Sequence, residues 1–198
     1  MERWIENHCN SQQILLVGEG DFSFSACLAR AFGCATNMVA TSLDSQASEW
    51  GKHWSCVSHL NDLRQRGCQV LHDVNVHDMH RHYFLSWKKF DVIIFNFPHA
   101  GHYPGFGESH PRVIDARVML RPGGEIHVTT RDDYPYNTWH VDSPASSAGL
   151  FLTEKVWFEK SDYPGYHNRR GGDIDSNETF ALGESYTFKF EAKPYCMY

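Results

Sequence analysis

The run Ile14-Leu15-Leu16-Val17 stops abruptly at Gly18-Glu19-Gly20-Asp21 and resumes as Phe22-Ser23-Phe24-Ser25, and this change of pattern constrains the fold more than any other feature. Four apolar residues without alternation suit a strand covered on both faces, as in a parallel sheet. Gly-x-Gly directly after such a strand lets the main chain turn sharply and approach a ligand, while the N–H groups of the next helix point into the same space. A full dinucleotide fingerprint has a third glycine three residues after Gly20, where this chain has Ser23. The pyrophosphate signature is therefore incomplete.

Apolar, β-branched runs recur with helical or turn material between them, the rhythm of a parallel sheet wrapped by helices. Strands are expected near 14–17, 38–42, 69–74, 91–96, 124–130, 151–158 and 185–190, giving a doubly wound α/β sheet. Helices are expected at 23–32 (closed by Gly33), 45–66 (closed by Gly67), 77–87 and 111–120, the last opening at Pro111 and ending before Pro122-Gly123-Gly124. Pro144 restricts any helix between Trp139 and Gly149 to a short one starting there. The last two strands are joined by a long polar stretch, Glu159 to Glu184, and are expected to pair antiparallel. A connection of that length is a candidate for function.

With 198 residues, 41% of them hydrophobic, the chain supports one core. A single domain is expected over 13–191, with residues 1–12 as an extension and 192–198 as a tail. The six cysteines (Cys9, Cys27, Cys34, Cys56, Cys68, Cys196) form no C-x-x-C pair and no zinc-ribbon spacing, as expected of reduced intracellular thiols with no metal. Residues 1–13 contain no apolar core of a leader, and no apolar run has the length of a membrane span. A net charge of −6 excludes a generally basic nucleic-acid coat, so any RNA contact must be local. The pairs Lys88-Lys89, Arg64 with Arg66, and Arg169-Arg170 read as solvated surface when each is taken alone.

Three strand tips carry candidate chemistry. After the second strand, Asp44 lies 26 positions beyond Gly18, where an acid accepts hydrogen bonds from ribose hydroxyls; Asp44 or Ser45 can equally cap the following helix. After the third, Asn75 and Asp78 either border an adenine or cap a turn, and His77, His80 and His82 lack a fourth ligand in matching register. The fourth strand delivers Asn96-Phe97-Pro98-His99 to the edge beside the Gly-rich turn. This element resembles the Asn-Pro-Pro-aromatic loop of methyltransferases acting on planar nitrogens, in which proline stiffens the loop, asparagine holds the target's edge and the ring stacks on its face. A Gly-x-Gly turn against the amino-acid end of S-adenosylmethionine fits the same reading.

The segments ILLVGEGDFSFSACLARAFG (14–33), ATSLDS (40–45), FDVIIFNFPHAG (90–101), GGEIHVT (123–129), YPGY-x-N-x-RG (163–171) and TFKF (187–190) together resemble the Rossmann-like domain of the eukaryotic 25S rRNA (uridine-N3) methyltransferase family, its plant members above all. The likeness runs from about Trp4 to Phe190. It implies a class I methyltransferase sheet of seven mostly parallel strands with an antiparallel C-terminal strand and helices on both faces, S-adenosylmethionine as cofactor, uridine in rRNA or a pre-ribosomal particle as acceptor, and nucleolar or nuclear placement. By position, Gly18, Glu19, Gly20, Asp21, Phe22 and Ser23 would hold the methionine and ribose side. Asp44 with Ser45 would take the ribose hydroxyls, and Asn75 with Val76 the adenine surroundings. Asn96, Phe97, Pro98 and His99 would form the acceptor pocket, Asn96 also bordering the cofactor.

Within that resemblance His99 is the candidate acceptor of the uridine N3 proton, Asn96 orients the O4 or O2 edge, and Phe97 stacks. Arg131, Tyr136, Tyr166, Arg169 and Arg170 are candidates for phosphate and flanking bases. Two stretches depart from the family: 101–119 and 139–149 are shorter or interrupted where long sheet-covering helices are expected. They motivate an alternative, a catalytically degenerate paralogue that acts as a binding protein. A nicotinamide-dependent oxidoreductase is a third reading, opposed by the missing third glycine and by the Asn-Phe-Pro element.

Overall fold

The computed structural model describes residues 1–47, 55–98, 116–133, 145–146, 149–169 and 178–192. Its elements, in order, are β1 (Trp4–Ile5), β2 (His8–Cys9), β3 (Ile14–Val17), α1 (Ser23–Phe32), β4 (Met38–Thr41), α2 (Cys56–Gln65), β5 (Gln69–Leu71), β6 (Phe90–Asn96), β7 (Leu120–Arg131), β8 (Leu150–Trp157) and β9 (Ser185–Ala192). Seven strands form one sheet in the order β5-β4-β3-β6-β7-β9-β8. The first five in that order run parallel, and β9 lies antiparallel between β7 and β8. All seven expected strands and the final antiparallel pair are present.

Alternation within each buried strand divides the core in two. Ile14, Leu16, Met38, Ala40, Val92 and Ile94 point to the face covered by α1 and α2, where they meet Phe24, Leu28, Phe32, Leu60 and Leu63. Leu15, Val17, Val39, Ile93 and Phe95 point to the other face, where Met79, Leu85, Ala116, Met119 and Ala145 pack on them. Burying both sides of a strand explains why β3 reads ILLV rather than as an apolar-polar alternation. Phe24, Leu28 and Phe32, spaced by four, form the large apolar row of α1, and the small residues Ser23, Ser25, Ala26, Cys27 and Ala29 are buried beside it.

Several boundaries differ from expectation. The helix expected at 77–87 is a 3-10 turn, Met79–Arg81, followed by further turns. There the N–H groups of His82, Leu85 and Lys88 each bond three residues back, and only Met79 and Leu85 of this histidine- and aromatic-rich stretch are fully buried, too narrow a stripe to hold an α-helix against the sheet. β7 begins at Leu120, not 124, because Pro122-Gly123-Gly124 forms a bulge opposite Phe90 to Val92 rather than a turn before the strand. A Cβ on Gly124 would lie 2.9 Å from the Phe90 carbonyl oxygen, which is why the bulge is made from glycine. β5 stops at Leu71. Of the expected helix 45–66 the structure describes α2, Cys56–Gln65, and residues 48–54 lie outside the described residues. Ala116 and Arg117 are the described helical end of the expected 111–120 helix, and Ala145-Ser146 are helical where a short helix was expected after Pro144.

Residues 1–12 do more than extend the domain. They fold as the hairpin β1-β2, with Trp4 opposite Cys9, and bury His8 and Cys9 while Ile5 packs on the α1 side of the core. The tail from 193 lies outside the described residues. Cys9, Cys27, Cys34, Cys56 and Cys68 take part in no disulfide. Among the described residues, no helix is long and apolar enough to cross a membrane, and no group of three or more His, Cys, Asp or Glu side chains is arranged to hold a metal.

Candidate functional site

Connections from β3 and from β6 leave in opposite directions across the sheet, so the crevice beyond their carboxyl ends is the place where this topology accepts a ligand. Val17 pairs with Phe95, which brings the turn that starts at Gly18 beside Asn96. The Gly18 and Gly20 backbone is exposed. Gly18 has φ +72, and a Cβ there would meet nothing within 4 Å, so the turn presents bare backbone to open space. Glu19 N–H donates to the Thr41 carbonyl oxygen (2.9 Å) and the Thr41 hydroxyl to that of Leu16 (3.0 Å), tying the β3 and β4 tips together.

The two acids of the turn serve the start of α1. Asp21 Oδ1 accepts from Ser23 N–H at 3.0 Å, and Glu19 Oε2 accepts from both the N–H (3.1 Å) and the hydroxyl (2.8 Å) of Ser25. Carboxylates therefore occupy donors that a phosphate would require at a helix N-terminus, and they complement the positive end of the helix dipole. This turn is built for a ligand without a pyrophosphate. Burial pushes the Glu19 carboxyl up to about 7, against the pull of its Ser25 hydrogen bonds, with the Asp21 charge adding to the rise. Phe22 precedes the helix with φ +58, and its ring is fully buried, edge-on to His72 at 5.7 Å. Its side chain anchors the turn from within the core, so any contact with a ligand would come from its backbone.

Asp21 is the centre of a buried cluster that the sequence reading did not assemble. Its carbonyl oxygen accepts from His59 Nδ1–H at 2.7 Å, which fixes that imidazole's tautomer. Oδ2 accepts from the Ser55 hydroxyl at 3.2 Å and from Arg169 Nε at 3.3 Å, with His167 Nδ1 at 3.8 Å. Burial lowers the His167 imidazole, against the opposing pull of Asp21. Ser23 Oγ and His167 bond in both directions, hydroxyl to carbonyl at 3.1 Å and N–H to hydroxyl at 2.9 Å. His59, Ser55 and His167 were missed because they are 34 or more positions from Asp21; the acid in the Gly-rich turn and the basic H-N-R run were the available signals.

Asp44 sits half-buried at the β4 tip. Its carbonyl accepts from Asp73 N–H at 3.2 Å and its N–H donates to Ser42 Oγ at 3.3 Å; Ser45 beside it is also half-buried. Asn75 Oδ1 accepts from His77 N–H at 3.0 Å, so that side chain caps its own turn, and Val76 packs on the second face of the core. At the β6 tip, Asn96 Nδ2 is buried and has no hydrogen-bond partner among the described residues. A buried amide donor left unsatisfied costs about 1–3 kcal/mol, and such a donor at the ligand crevice is ready for an acceptor. Phe97 follows with φ +48, its N–H donating to Thr129 O at 2.7 Å. The ring, expected to stack on a base, instead lies edge to face with Phe158 (5.5 Å) and Phe180 (5.4 Å), packed on the α1 side of the core. Pro98 is half-buried.

The expected RNA surface is reduced in the same way. Tyr166 is buried against Phe24 and Phe158, and its hydroxyl is raised well above its ordinary range by burial and by Glu19 and Asp21; it belongs to the core. Arg169 turns inward to Asp21, and Arg131, at the end of β7, pairs with Asp133. His99, Tyr136 and Arg170 lie outside the described residues. The structure thus brings Gly18, Glu19, Gly20, Asp44, Ser45 and Asn96 to one crevice edge, holds Asp21 and Ser23 buried beneath it, and turns Phe22, Phe97, Tyr166 and Arg169 into packing or ion pairs.

Comparison with known proteins agrees with this fold. A family described as BMT5-like, rRNA (uridine-N3-)-methyltransferase BTM5-like, matches residues 15–170. An uncharacterized protein of Arabidopsis thaliana is 42% identical over 96% of this chain and 97% of its own length. Heavy metal-associated isoprenylated plant protein 41 of the same plant is 41% identical over 96% of this chain, which spans 39% of that protein. The 25S rRNA (uridine(2634)-N(3))-methyltransferase of Saccharomyces cerevisiae is 21% identical over 80% of this chain and 66% of its own. Among solved structures, the glycopeptide N-methyltransferase MtfA in complex with S-adenosyl-L-homocysteine superposes with a TM-score of 0.58 at 10% identity, over 91% of this chain and 81% of that one. The chain therefore belongs to the BMT5-like family of rRNA methyltransferases and has the class I fold whose cofactor is S-adenosylmethionine.

Proposed function

We propose that this protein transfers a methyl group to N3 of a uridine in large-subunit rRNA, acting on rRNA or a pre-ribosomal particle in the nucleolus or nucleus. The observation that carries the reading is the buried Asn96 amide, without a partner among the described residues, beside the open backbone of Gly18. The name of the yeast relative supplies the choice of uridine N3. The open backbone fits the cofactor: bare glycine permits close approach, and the acids of the turn already take the helix-start N–H groups that a phosphate would use.

S-adenosylmethionine supplies an electrophilic methyl group. Gly18 to Asp21 shape the seat for its amino-acid side, and Asp44 lies where ribose hydroxyls are held. Asn96 donates its free N–H to a uracil carbonyl, O4 or O2, and so turns N3 toward the crevice. Pro98 stiffens the loop, and Phe97 holds the tip down through Phe158 and Phe180. N3 is a weakly acidic imide that pairs inside a duplex, so the base must be unpaired or flipped, and its proton must leave as the N–CH3 bond forms. His99 is assigned to accept that proton. Alignment and desolvation supply most of the rate.

Titration of the purified protein with S-adenosylmethionine and, in parallel, NADH tests the cofactor; saturable binding of the first alone is expected. Turnover with isotopically labelled cofactor on unmodified rRNA then tests the acceptor, with the product nucleoside identified as 3-methyluridine. Asn96→Ala is expected to lower turnover at least tenfold, and unchanged turnover would remove the assignment.

A further inference from the structure

The segment following β8 touches both strand tips of the crevice. At the β3 tip, Arg169 reaches Asp21 Oδ2 at 3.3 Å and His167 exchanges two hydrogen bonds with Ser23. At the β6 tip, the Phe180 ring packs on Phe97 at 5.4 Å. Residues 166–169 and 178–180 are themselves bound together. Arg169 bridges Thr179 through the backbone, and Asn168, buried, donates from Nδ2 to the Phe180 carbonyl while its Oδ1 accepts from Lys160 Nζ at 2.7 Å. A continuous set of contacts thus runs from Asp21 through Arg169, Asn168 and Phe180 to Phe97, next to Asn96.

Asp21 makes this path stiff. Its carboxylate is 3% exposed and holds Ser23, Ser55 and Arg169 together, so the Arg169 guanidinium is the tie between a buried anion and a separate segment of chain. Charge-assisted bonds of this kind are short-ranged and directional. Removing one partner of a buried pair leaves the other uncompensated.

We propose that Asp21 and Arg169 are positioning residues. Acting through Asn168, Phe180 and Phe97, they set the spacing between the Gly-rich turn and the Asn96 tip, so that the acceptor is presented at the right distance from the methyl donor. This rests on the methyl-transfer reading for its effect on rate, whereas the mechanical link is independent of it. It also changes the role of Arg169 from a phosphate contact to an internal latch.

The test uses the full chain as Arg169→Gln, Arg169→Lys and Asp21→Asn, with thermal unfolding confirming that each variant folds. Misplacement of reacting groups by about an ångström lowers turnover by about two orders of magnitude, so kcat is expected to fall tenfold to a hundredfold in Arg169→Gln. RNA KM and its salt dependence stay as in the wild type, and Arg169→Lys restores part of kcat. A phosphate contact predicts the reverse, with kcat kept, RNA KM raised and the salt slope reduced by about one, and that result overturns the proposal. Hydrogen exchange reads the link without catalysis: Arg169→Gln is expected to accelerate exchange at both the His167 and the Phe97 amides. Acceleration at His167 with a wild-type rate at Phe97 overturns it as well. A folded wild type without turnover refutes the methyl-transfer reading alone, and the exchange at Phe97 still decides the latch.

Discussion

Replacing Glu19 by glutamine removes a titration whose direction follows from the geometry of the turn. The carboxyl is drawn inward onto Ser25, and burial raises it from 4.5 to about 7. In the unfolded chain it ionises near its ordinary value. Between pH 4.5 and 7 the unfolded state therefore releases a proton that the folded state retains, and the contribution to stability, complete below 4.5, is lost as pH rises through 7. At 1.36 kcal/mol per pH unit the loss amounts to about 3 kcal/mol. His8 works in the opposite sense over part of the same window, because burial lowers its imidazole, so the wild-type curve alone does not isolate Glu19. The informative quantity is the difference between Glu19→Gln and wild type, from urea unfolding at pH 4.5, 5.5, 6.5 and 7.5. Glutamine keeps an oxygen to accept from Ser25. The variant is expected to gain about 3 kcal/mol relative to wild type between the first and last pH, a displacement of the midpoint by about 1–2 M urea at an ordinary denaturant slope. A difference flat with pH, or one in which wild type gains as pH rises, refutes burial as the dominant influence and gives that place to the Ser25 hydrogen bonds.

Two further outcomes are expected away from the crevice. His127 Nε2 donates to Glu125 (2.8 Å), leaving its Nδ1 to accept from His8 Nε2 (3.2 Å) and His8 Nδ1 buried with no partner among the described residues. Protonation at Nδ1 would place a donor where nothing accepts, so wild type should lose stability as pH falls below 6.5 while His8→Gln loses less; equal slopes in calorimetric unfolding would contradict this. Gly124→Ala drives a Cβ to 2.9 Å from the Phe90 carbonyl and 3.0 Å from that of Arg121, both backbone atoms. Overpacking against backbone costs about 1–3 kcal/mol, and a melting temperature lowered by about 5 °C is expected, whereas an unchanged one would show that the bulge relaxes freely.

The sheet was legible because burial on both faces writes itself as apolar runs: ILLV, MVAT and DVIIF became β3, β4 and the body of β6 nearly residue for residue. The 79–88 stretch was not, because its two buried residues, Met79 and Leu85, are held by the sheet beneath them and not by helical periodicity. The same limit governs the crevice. Gly18, Asp44 and Asn96 could be placed at strand tips from their register, which topology fixes. The roles of Phe97, Tyr166 and Arg169 depend on which way each side chain turns, and that is decided by Phe158, Phe180 and Asp21, partners up to 148 positions away. An exposed arginine and a latch arginine have the same letter.

Strain at the two tips follows a related logic. Phe22, φ +58, and Phe97, φ +48, both occupy the left-handed region just after β3 and β6, where an L side chain costs roughly 1–2 kcal/mol and glycine nothing. Phenylalanine is retained there because its ring pins the turn: Phe22 is fully buried against His72, and Phe97 is held between Phe158 and Phe180. Truncation separates the two contributions. Phe22→Ala loses the ring and keeps the strain, with a cost of about 3–5 kcal/mol, while Phe22→Gly loses the ring and releases the strain. Glycine is therefore expected to exceed alanine in unfolding free energy by about 1 kcal/mol at position 22, and in the same direction at 97, the reverse of their order in an ordinary helix or strand. Chemical unfolding of the four variants measures this directly. Alanine matching or exceeding glycine at both positions would mean that the turns relax on truncation, and that the rings alone, not the backbone they constrain, define the shape of the crevice edge.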